Sequence, residues 1–520
     1  MTSLIPLVVL LPLLGAATAL MLARYPRMQT LITIIVLVAV LIISAVMLWY
    51  VDANGAIAVT VGGWVPPWGI VLVVDRLSAL LLVVSAIVLL AVLIFSVGQG
   101  LADGDRDTPV SIYYPTYLIL ATGVFNAFIA GDLFNLYVSF EILLVASYVL
   151  ITLGGTEARI RAGVTYIIVS LVSSILFLAA IAMIYAATGT VNIAQLSIRL
   201  AELPSDIQLV LHVMLLLAFS IKAAIFPLSF WLPDSYPTAP APVTAVFAGL
   251  LTKVGVYAIM RTEMIIFPGD ELFTFLLIIA ALTMIVGILG AVAQSDIKRL
   301  LSFTLVSHIG YMLFGIGIGT AAGLAAATYY VVHHITVQTT LFLAAGLVER
   351  QAGTTSINRV GGLLKAAPVI GVLFFIPMLN LGGIPPFSGF LGKLALFEAG
   401  AANGTALSWI LIGAGALVSL LTLYALARAW NMAFWRDADE VVEYEHPLNV
   451  TEQDRRNDTG VKEARATPRI MIAATGGMVA VTVALTVFAG PLFNISERAG
   501  ENIDGPEYYI QTVLTGEGED

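Results

Sequence analysis

Residues 214–232 read MLLLAFSIKAAIFPLSFWL, an apolar stretch that contains Lys222 and Pro227 and is followed directly by Pro233. About 20 mostly apolar residues are what a helix needs to cross the hydrocarbon core of a bilayer. Proline lacks a backbone donor and clashes with the preceding turn, so it breaks or kinks a helix. The stretch therefore predicts a membrane-spanning helix that is interrupted close to a buried charge.

A second stretch has the same character. Residues 382–397 read GGIPPFSGFLGKLALF and contain Pro385, Pro386 and Lys393. The hexapeptides that begin at Pro227 and Pro386 share the pattern P-x-S-x-aromatic-Leu. The chain between them is long enough for five spans, and an odd number of spans reverses the direction of the chain. The pair of breaks therefore predicts two inverted repeats, and matched interrupted helices are the best sequence indication of an ion site in a transporter.

The composition supports a membrane protein throughout. The 520 residues are 59% hydrophobic and only 11% charged, whereas soluble domains carry about 25% charged residues. The absence of cysteine excludes disulfides, thiolate metal sites, iron–sulfur clusters and cysteine nucleophiles. There is no basic patch with interleaved aromatic residues, no P-loop, no nucleotide-binding glycine fingerprint and no metal-ligand cluster. We therefore expect no enzyme active site, no cofactor, no metal and no nucleic-acid partner.

About 14 stretches are long and apolar enough to be transmembrane helices, which predicts an all-α integral membrane fold. The first stretch is too long for a signal-peptide core and is interpreted as a retained span. We expect three N-terminal helices in 1–109, one five-helix repeat in 110–265 and a second in 266–434. A polar loop, 435–469, and a last helix with an acidic tail, 470–520, would complete the chain. Glu517, Glu519 and Asp520 in that tail are expected to be solvated.

The basic residues predict the orientation. Seventeen of the 24 lie in the odd-numbered loops, and only Arg76, Arg199, Arg261 and Arg498 lie in the even-numbered loops and termini. The positive-inside rule places the odd loops in the cytoplasm. Both termini would then be extracytoplasmic in a multi-pass protein of the cell membrane, which an even number of spans also requires.

Four ionisable residues lie well inside predicted spans, namely Glu141, Lys222, Lys253 and Lys393. A charge at the bilayer centre costs about 2.5–3.5 kcal/mol on insertion scales. Any one of these four residues could have a purely structural role, paired with a nearby partner. However, three lysines and one acid leave two lysines without a carboxylate of their own, which disfavours simple structural pairing. Because burial disfavours the charged form of lysine, a row of such lysines can release and regain protons.

Histidines extend this row. His308, His333 and His334 lie within apolar stretches, and imidazole exchanges protons near neutral pH. A single histidine in a span is more often a hydrogen-bonded core residue. His334 is the strongest candidate because it lies near mid-span and between Lys253 and Lys393 in the chain.

Several segments together resemble a known family. They are FEILLVASYVLI with Glu141, the segment from Lys222 to Tyr257, DIKRLLSFTLVSHIGY, and LGGIPPFSGFLGKL with Lys393. Over about 75–435 the chain resembles the antiporter-like subunits shared by respiratory complex I, membrane-bound hydrogenases and Mrp-type cation/proton antiporters. Within that family it is most similar to the subunits of the Mrp type.

The resemblance implies 14 spans in two inverted five-helix units and an essential pair formed by Glu141 and Lys222. It also implies that Lys253, His334 and Lys393 are relay residues. Gln338 departs from the pattern, since many relatives have lysine there, which puts a relay role at that position in doubt. Asn380 stands where serine is usual.

Three functions follow as expectations. The leading one is a proton-translocating subunit of a multi-subunit sodium/proton antiporter, with other membrane subunits, lipid, protons and a monovalent cation, most simply sodium, as its partners. The alternative in the same class is a proton-pumping subunit of a redox complex of the complex I or membrane hydrogenase type. A structural membrane scaffold is the alternative of another class, and the row of ionisable residues argues against it.

The orientation can be tested by labelling single cysteines, because the natural chain has none. A cysteine at either terminus should react with a membrane-impermeant reagent added outside intact cells, whereas one in 440–465 should react only after the membrane is opened. Strong outside labelling of 440–465 would contradict the orientation.

Overall fold

The computed structural model describes residues 1–99, 110–269, 271–441 and 467–515. Helices α1 to α7 are Leu7–Met21, Pro26–Asn54, Arg76–Gln99, Val110–Ile129, Leu133–Thr152, Glu157–Thr188 and Ile193–Ala201. Helices α8 to α13 are Ser205–Ala223, Leu232–Ser235, Ala241–Ile266, Phe273–Val292, Ile297–Gly317 and Ala321–Ala352. Helices α14 to α20 are Leu363–Ala366, Pro368–Gly382, Ser388–Asn403, Ala406–Trp435, Arg469–Val487, Ala489–Ile503 and Glu507–Ile510.

Shorter elements complete the described chain. Strands β1, Ile57–Thr60, and β2, Val71–Val74, form an antiparallel hairpin in which Ile57 pairs with Val74 and Thr60 with Val71. Short 3₁₀ turns lie at Thr2–Leu4, Val61–Gly63, Tyr236–Thr238 and Ala438–Glu440. Wider π-helical turns lie at Phe247–Leu251 and Thr262–Ile266 within α10, at Asn431–Trp435 within α17, and at Gln511–Thr515.

In the described ranges, thirteen helices are long and apolar enough to cross a membrane by length and composition. The helices α15 and α16, separated by 383–387, form one further, discontinuous span. The structure thus agrees with the expected fold of about 14 transmembrane helices, with one small hairpin added.

Both predicted interruptions are visible. Helix α8 ends at Ala223, because Ala224 takes a left-handed conformation with φ 57° and Pro227 follows without a backbone donor. The regular helix is therefore shorter than the apolar stretch that continues to residue 232. Pro233 lies in the first turn of α9, where proline is tolerated, so it starts a helix and does not interrupt one.

In the second half the chain leaves the helix at Gly383, with φ 83°, and Pro385 and Pro386 both lie in the non-helical link to α16.

The two halves repeat one another at a constant offset along the chain. Helices α6 and α13 each have 32 residues, and Thr156 and Thr320 cap their first turns. Left-handed glycines, Gly189 and Gly353, end them. The residues before α5 and α12 follow the same offset: Asp132 forms an isolated bridge with Asn192, and Asp296 forms one with Ser356. The sequence and the backbone therefore show the same structural unit in both halves of the chain.

The repeats run in opposite directions. Helix α5 starts at the end of the molecule that carries the hairpin, since Ala130 bridges Leu72. Helix α12 starts at the other end, where Arg299 lies 2.8 Å from Asp234, beyond the C-terminal end of α8.

The centre of the molecule is formed by α10 and α13, whose apolar lengths are completely buried. Helix α13 packs against α3, α12, α15, α16, α18 and α19. The residues predicted to relay protons on these helices, Lys253 and His334, are therefore far from lipid.

Two expectations need correction. The sequence predicts one last helix with an acidic tail in 470–520, but α18 ends at Val487 and α19 packs as a separate helix against α13. Arg261, assigned to an even-numbered loop, is buried in an ion pair with Asp75. Lys298, one of the seventeen basic residues assigned to odd-numbered loops, is buried in an ion pair with Glu349. The acids of the tail beyond residue 515 and most of the loop 435–469 lie outside the described residues.

The first and last described segments lie on the same side of the molecule. Both the 3₁₀ turn Thr2–Leu4 and the π turn Gln511–Thr515 contact β1, and the backbone N–H of Ala56 donates to the Tyr508 hydroxyl at 2.5 Å.

The link before α5 generates a prediction. Asp132 caps α5 by accepting from the Asn135 N–H at 2.6 Å, and burial raises the pKa of its carboxyl to about 6. Because the folded protein holds this proton more tightly than the unfolded chain, the stability that Asp132 contributes is full at low pH and falls as pH rises from about 4 to about 6. Asp132→Asn keeps a good cap without a charge, whereas Asp132→Ala loses about 1 kcal/mol.

Thermal melting of the purified complex should therefore show the stability of Asp132→Asn rising relative to the unmodified protein between about pH 4 and about pH 6. Asp132→Ala should melt below Asp132→Asn at every pH. Asp206→Asn, at an exposed position, is the control. Identical pH profiles for Asp132→Asn and the unmodified protein would contradict the assignment.

Candidate functional site

Glu141 and Lys222 are joined by a serine hydroxyl. Glu141 lies on α5, Ser174 on α6, and Lys222 in the last turn of α8. The Ser174 Oγ donates to Glu141 Oε1 and accepts from Lys222 Nζ at 3.2 Å. The two charged groups therefore share one small polar atom and form no direct ion pair in the structure.

The end of α8 suits a cation. The carbonyls of the last helical turn lack intrahelical partners and carry the negative end of the helix dipole. Lys222 lies in this turn, directly before the left-handed Ala224. Its Nζ also lies 4.8 Å from the centre of the Phe140 ring, within the range of a cation–π contact. The break that ends α8 thus helps to hold the ammonium group inside the protein.

A small cavity lies next to Lys222. Its volume is about 20 Å³, enough for one water molecule. Lys222, Ser170 and Ser173 are among its lining residues, and Leu251 of α10 lines it too. The cavity therefore borders both Lys222 and the helix that carries Lys253.

Lys253 is completely buried and is held by backbone. Its Nζ donates to the carbonyl of Ala248 at 2.5 Å. Ala248 belongs to the π turn Phe247–Leu251, where the wider helix displaces carbonyls from their usual partners. The described residues place no carboxylate within ion-pair distance of Lys253 or Lys393, so the lysines rely on neutral oxygen atoms.

Three histidines meet in the second half. The rings of His308 and His334 are 5.3 Å apart, and His308 Nδ1 lies 2.7 Å from the Tyr330 hydroxyl. His333 Nδ1 lies 3.0 Å from Ser388 Oγ, at the start of α16. Neither ring nitrogen of His334 has a hydrogen-bond partner among the described residues. His334 is therefore a buried imidazole with both nitrogens available, and His308, which was not selected from the sequence, is part of the same group.

Lys393 lies at the second break. Its Nζ donates to the carbonyls of Leu381 at 2.9 Å and Gly382 at 3.3 Å, which end α15. The Tyr311 ring lies 5.3 Å away. As with Lys253, an irregular stretch of helix supplies the oxygen atoms that a buried ammonium needs.

Asn380 connects the two parts of the broken helix. Its Oδ1 accepts from the Gly389 N–H at 2.9 Å and from Ser388 Oγ at 3.2 Å. Gly389 approaches the Asn380 backbone so closely that a Cβ would collide with the carbonyl oxygen. Asn380 thus caps α16 from α15, which gives this residue a structural role that the sequence did not indicate.

Gln338 lies one turn after His334 and corresponds to Ser174 at the offset that aligns the two halves. Its Nε2 donates to the Leu301 carbonyl at 2.7 Å, while its Oε1 has no partner among the described residues. Gln338 therefore contacts the backbone of α12 and contributes no titratable group.

The structure brings the five predicted residues into two groups. Glu141 and Lys222 are linked through Ser174, whereas Lys253, His334 and Lys393 lie on the neighbouring central and second-half helices. Sequence reasoning missed Ser174 because serine is common in membrane helices and shows no distinctive pattern. It also missed two buried pairs, Asp75 with Arg261 and His212 with Glu263.

Comparison with known proteins places this geometry in a family. Residues 130–422 match the family described as NADH:quinone oxidoreductase/Mrp antiporter, TM. The D subunit of the Na(+)/H(+) antiporter of Alkalihalophilus pseudofirmus is 39% identical over 99% of this chain and 100% of its own. The protein of the same description from Bacillus subtilis is 39% identical over 86% of this chain and 90% of its own.

A solved structure of the Mrp complex from Dietzia sp. DQ12-45-1b contains a chain with the same fold. Its TM-score is 0.88, at 32% identity, over 99% of this chain and 100% of that chain. The chain therefore belongs to the NADH:quinone oxidoreductase/Mrp antiporter family of membrane proteins.

Proposed function

We propose that this chain is the proton-translocating subunit of a multi-subunit sodium/proton antiporter in the cell membrane. The observation that carries the proposal is the row of buried titratable side chains on two interrupted helices and on the central helices between them. The relatives described as sodium/proton antiporter subunits favour this function over a redox-driven pump. A scaffold would have no need for three buried lysines, none of which forms a direct ion pair with a described carboxylate.

The first group acts as a switch. An ionised Glu141 favours the charged form of Lys222 through the Ser174 hydroxyl, which can donate to one and accept from the other. When Glu141 is neutralised or moves away, desolvation favours neutral lysine, and Lys222 releases its proton. The movement of a cation elsewhere in the complex would set the state of Glu141.

The second group receives and passes the proton. Lys253, His334 and Lys393 each bind a proton without a fixed counter-charge, so a proton on one disfavours a proton on the next. His334 has both ring nitrogens available, and imidazole can take a proton on one nitrogen while releasing it from the other. His308 and the Tyr330 hydroxyl lie beside this step and can hold the ring in position.

The proposed subunit works within a membrane complex. The partners are other membrane subunits of the complex, lipid, protons and a monovalent cation, which we take to be sodium. Both termini and the hairpin lie at the extracytoplasmic end.

The switch formed by Glu141 and Lys222 can be tested by substitution. Glu141→Ala and Lys222→Ala should each abolish cation-dependent proton movement in everted vesicles, and Glu141→Asp should keep part of it. The double alanine variant should be no worse than either single one, because the two residues act as a unit. Near-normal exchange by a well-assembled Glu141→Ala variant would remove the pair from the mechanism.

The bridging hydroxyl of Ser174 is expected to support exchange. Ser174→Ala should lower exchange about tenfold, the effect of one lost hydrogen bond to a charged group, while Ser174→Thr keeps a hydroxyl and most activity. Ser173→Ala is the matched control, because its hydroxyl donates to the Ala218 carbonyl and not to the pair. Equal effects at 173 and 174 would indicate a packing role for both serines.

The three relay residues are each expected to be needed for exchange. Lys253→Ala, His334→Ala and Lys393→Ala should each reduce exchange by about 100-fold or more, as expected when a proton-transfer group is lost, while the complex still assembles. Gln338→Ala should have a smaller effect, since glutamine cannot carry the proton. An equal loss from Gln338→Ala would show that packing governs this region.

A further inference from the structure

A buried acid–imidazole pair lies outside the row described above. His212 Nε2, on α8, lies 2.8 Å from Glu263 Oε1, on α10, and both side chains are buried. The His212 ring stacks on Phe267 at 4.4 Å with an interplanar angle of 7°. None of the predicted relay residues touches this pair.

The pair occupies a defined position relative to the lysines. His212 lies ten residues before Lys222 on α8, and Glu263 lies ten residues after Lys253 on α10. The two helices pack closely, since a Cβ on Gly255 would lie 2.8 Å from the Ala223 backbone nitrogen. At 1.5 Å per residue the pair lies about 15 Å from both lysines, in the same direction.

That direction leads to the hairpin end of the molecule. Two residues before Glu263, Arg261 donates to Asp75 at 2.5 Å, and Asp75 directly follows β2. The pair thus lies between the lysines and the end that carries the hairpin and the first and last described segments.

The neighbouring ion pair provides a contrast. Asp75 uses both oxygens, since Oδ1 accepts from the Ser78 N–H at 2.8 Å and Oδ2 from Arg261. Arginine keeps its proton in proteins, so this pair is suited to a structural role. Glu263 uses one oxygen only, and its buried Oε2 has no partner among the described residues. Both members of the His212–Glu263 pair can exchange protons, and Glu263 lies in a π turn, a feature frequent at functional sites.

Few other charges lie on the elements that pack against the pair. They are Arg199 on α7, Asp206 and Lys222 on α8, and Lys253 and Arg261 on α10, with Tyr185 at the same end of α6. Arg261 is occupied by Asp75, and Asp206 is exposed. Among the acids and histidines of α8 and α10, His212 and Glu263 are therefore the buried ones on this side of the lysines.

We propose that His212 and Glu263 form the outer terminus of the first-half proton path, a role that rests on the proposed proton translocation. A proton taken up from the outer solution is held by the pair as imidazolium or carboxylic acid. It then passes through water to the neutral amine of Lys222 or Lys253, which becomes an ammonium and can feed the second group. One proton moves at each step, and no other bond forms or breaks.

The test is the double variant His212→Gln/Glu263→Gln in the assembled complex. Two amides keep the size of the side chains and can hydrogen-bond to each other, so a merely structural pair would tolerate the change. Loss of the relay should lower cation-dependent proton movement about 100-fold or more, with co-purification of subunits and the melting temperature unchanged. Asp206→Asn and Glu271→Gln, at exposed positions near the same end, are the controls and should exchange normally.

Exchange at the normal rate by the double variant would overturn the proposal. If the double variant fails to assemble, Glu263→Asp decides, since it retains a titratable group. Measured in right-side-out and everted vesicles, it should shift the dependence of the exchange rate on the outer pH and leave the dependence on the inner pH unchanged. An unshifted outer-pH profile would assign the pair to structure alone. Absence of exchange in the unmodified complex would instead contradict the proposed function itself.

Discussion

A lysine ammonium inside a membrane protein must find oxygen atoms, and a regular helix has none to offer because its carbonyls are already paired. The structure meets this constraint by disturbing the helix beside each lysine. Lys222 lies where α8 ends, Lys253 binds a carbonyl of a π turn, and Lys393 binds the carbonyls that end α15. The acceptors of Lys253 and Lys393 are neutral carbonyls, so releasing their protons leaves no unpaired carboxylate, whereas Lys222 shares Ser174 with Glu141. The helix interruptions are thus what allows proton-binding lysines to lie inside the protein.

The inverted repeat provides this arrangement in both halves of the chain, but the two halves hold different polar side chains. At the offset that aligns Thr156 with Thr320, Glu141 corresponds to Leu305 and Ser174 to Gln338. The first half therefore holds a carboxylate switch that the second half lacks. In turn, the second half holds the three histidines, and the equivalent of His334 in the first half is Ser170. The same backbone fold thus holds the carboxylate switch in the first half and the histidines that pass protons in the second half.

Much of the fold and part of the site could be predicted from the sequence. Charges and prolines within apolar stretches are rare and costly, so Lys222, Lys253, Lys393 and the two breaks were conspicuous. Ser174 gave no signal, because a hydroxyl in a membrane helix usually bonds to its own backbone. His212 and Glu263 were missed because each lies near the end of its apolar stretch, where a polar residue is ordinary. Only the packing of α8 against α10 brings them together. Helix α19 was not separated from the last span and the acidic tail, since its packing against α13 is a contact between residues far apart in the chain.

The contact between α19 and α13 has a consequence for biogenesis. Gly500 packs on Ala321 and Ala325, and the Ala321 N–H donates to the Asp504 carboxylate at 3.2 Å. The start of α13 is thus covered by a segment that the ribosome makes only after the rest of the second repeat, the loop 435–469 and α18. At the usual rate of chain elongation, the start of α13 remains uncovered on this side for roughly 7–30 seconds after synthesis. Insertion factors or neighbouring subunits present in that interval would meet this histidine-bearing helix before its own chain can enclose it.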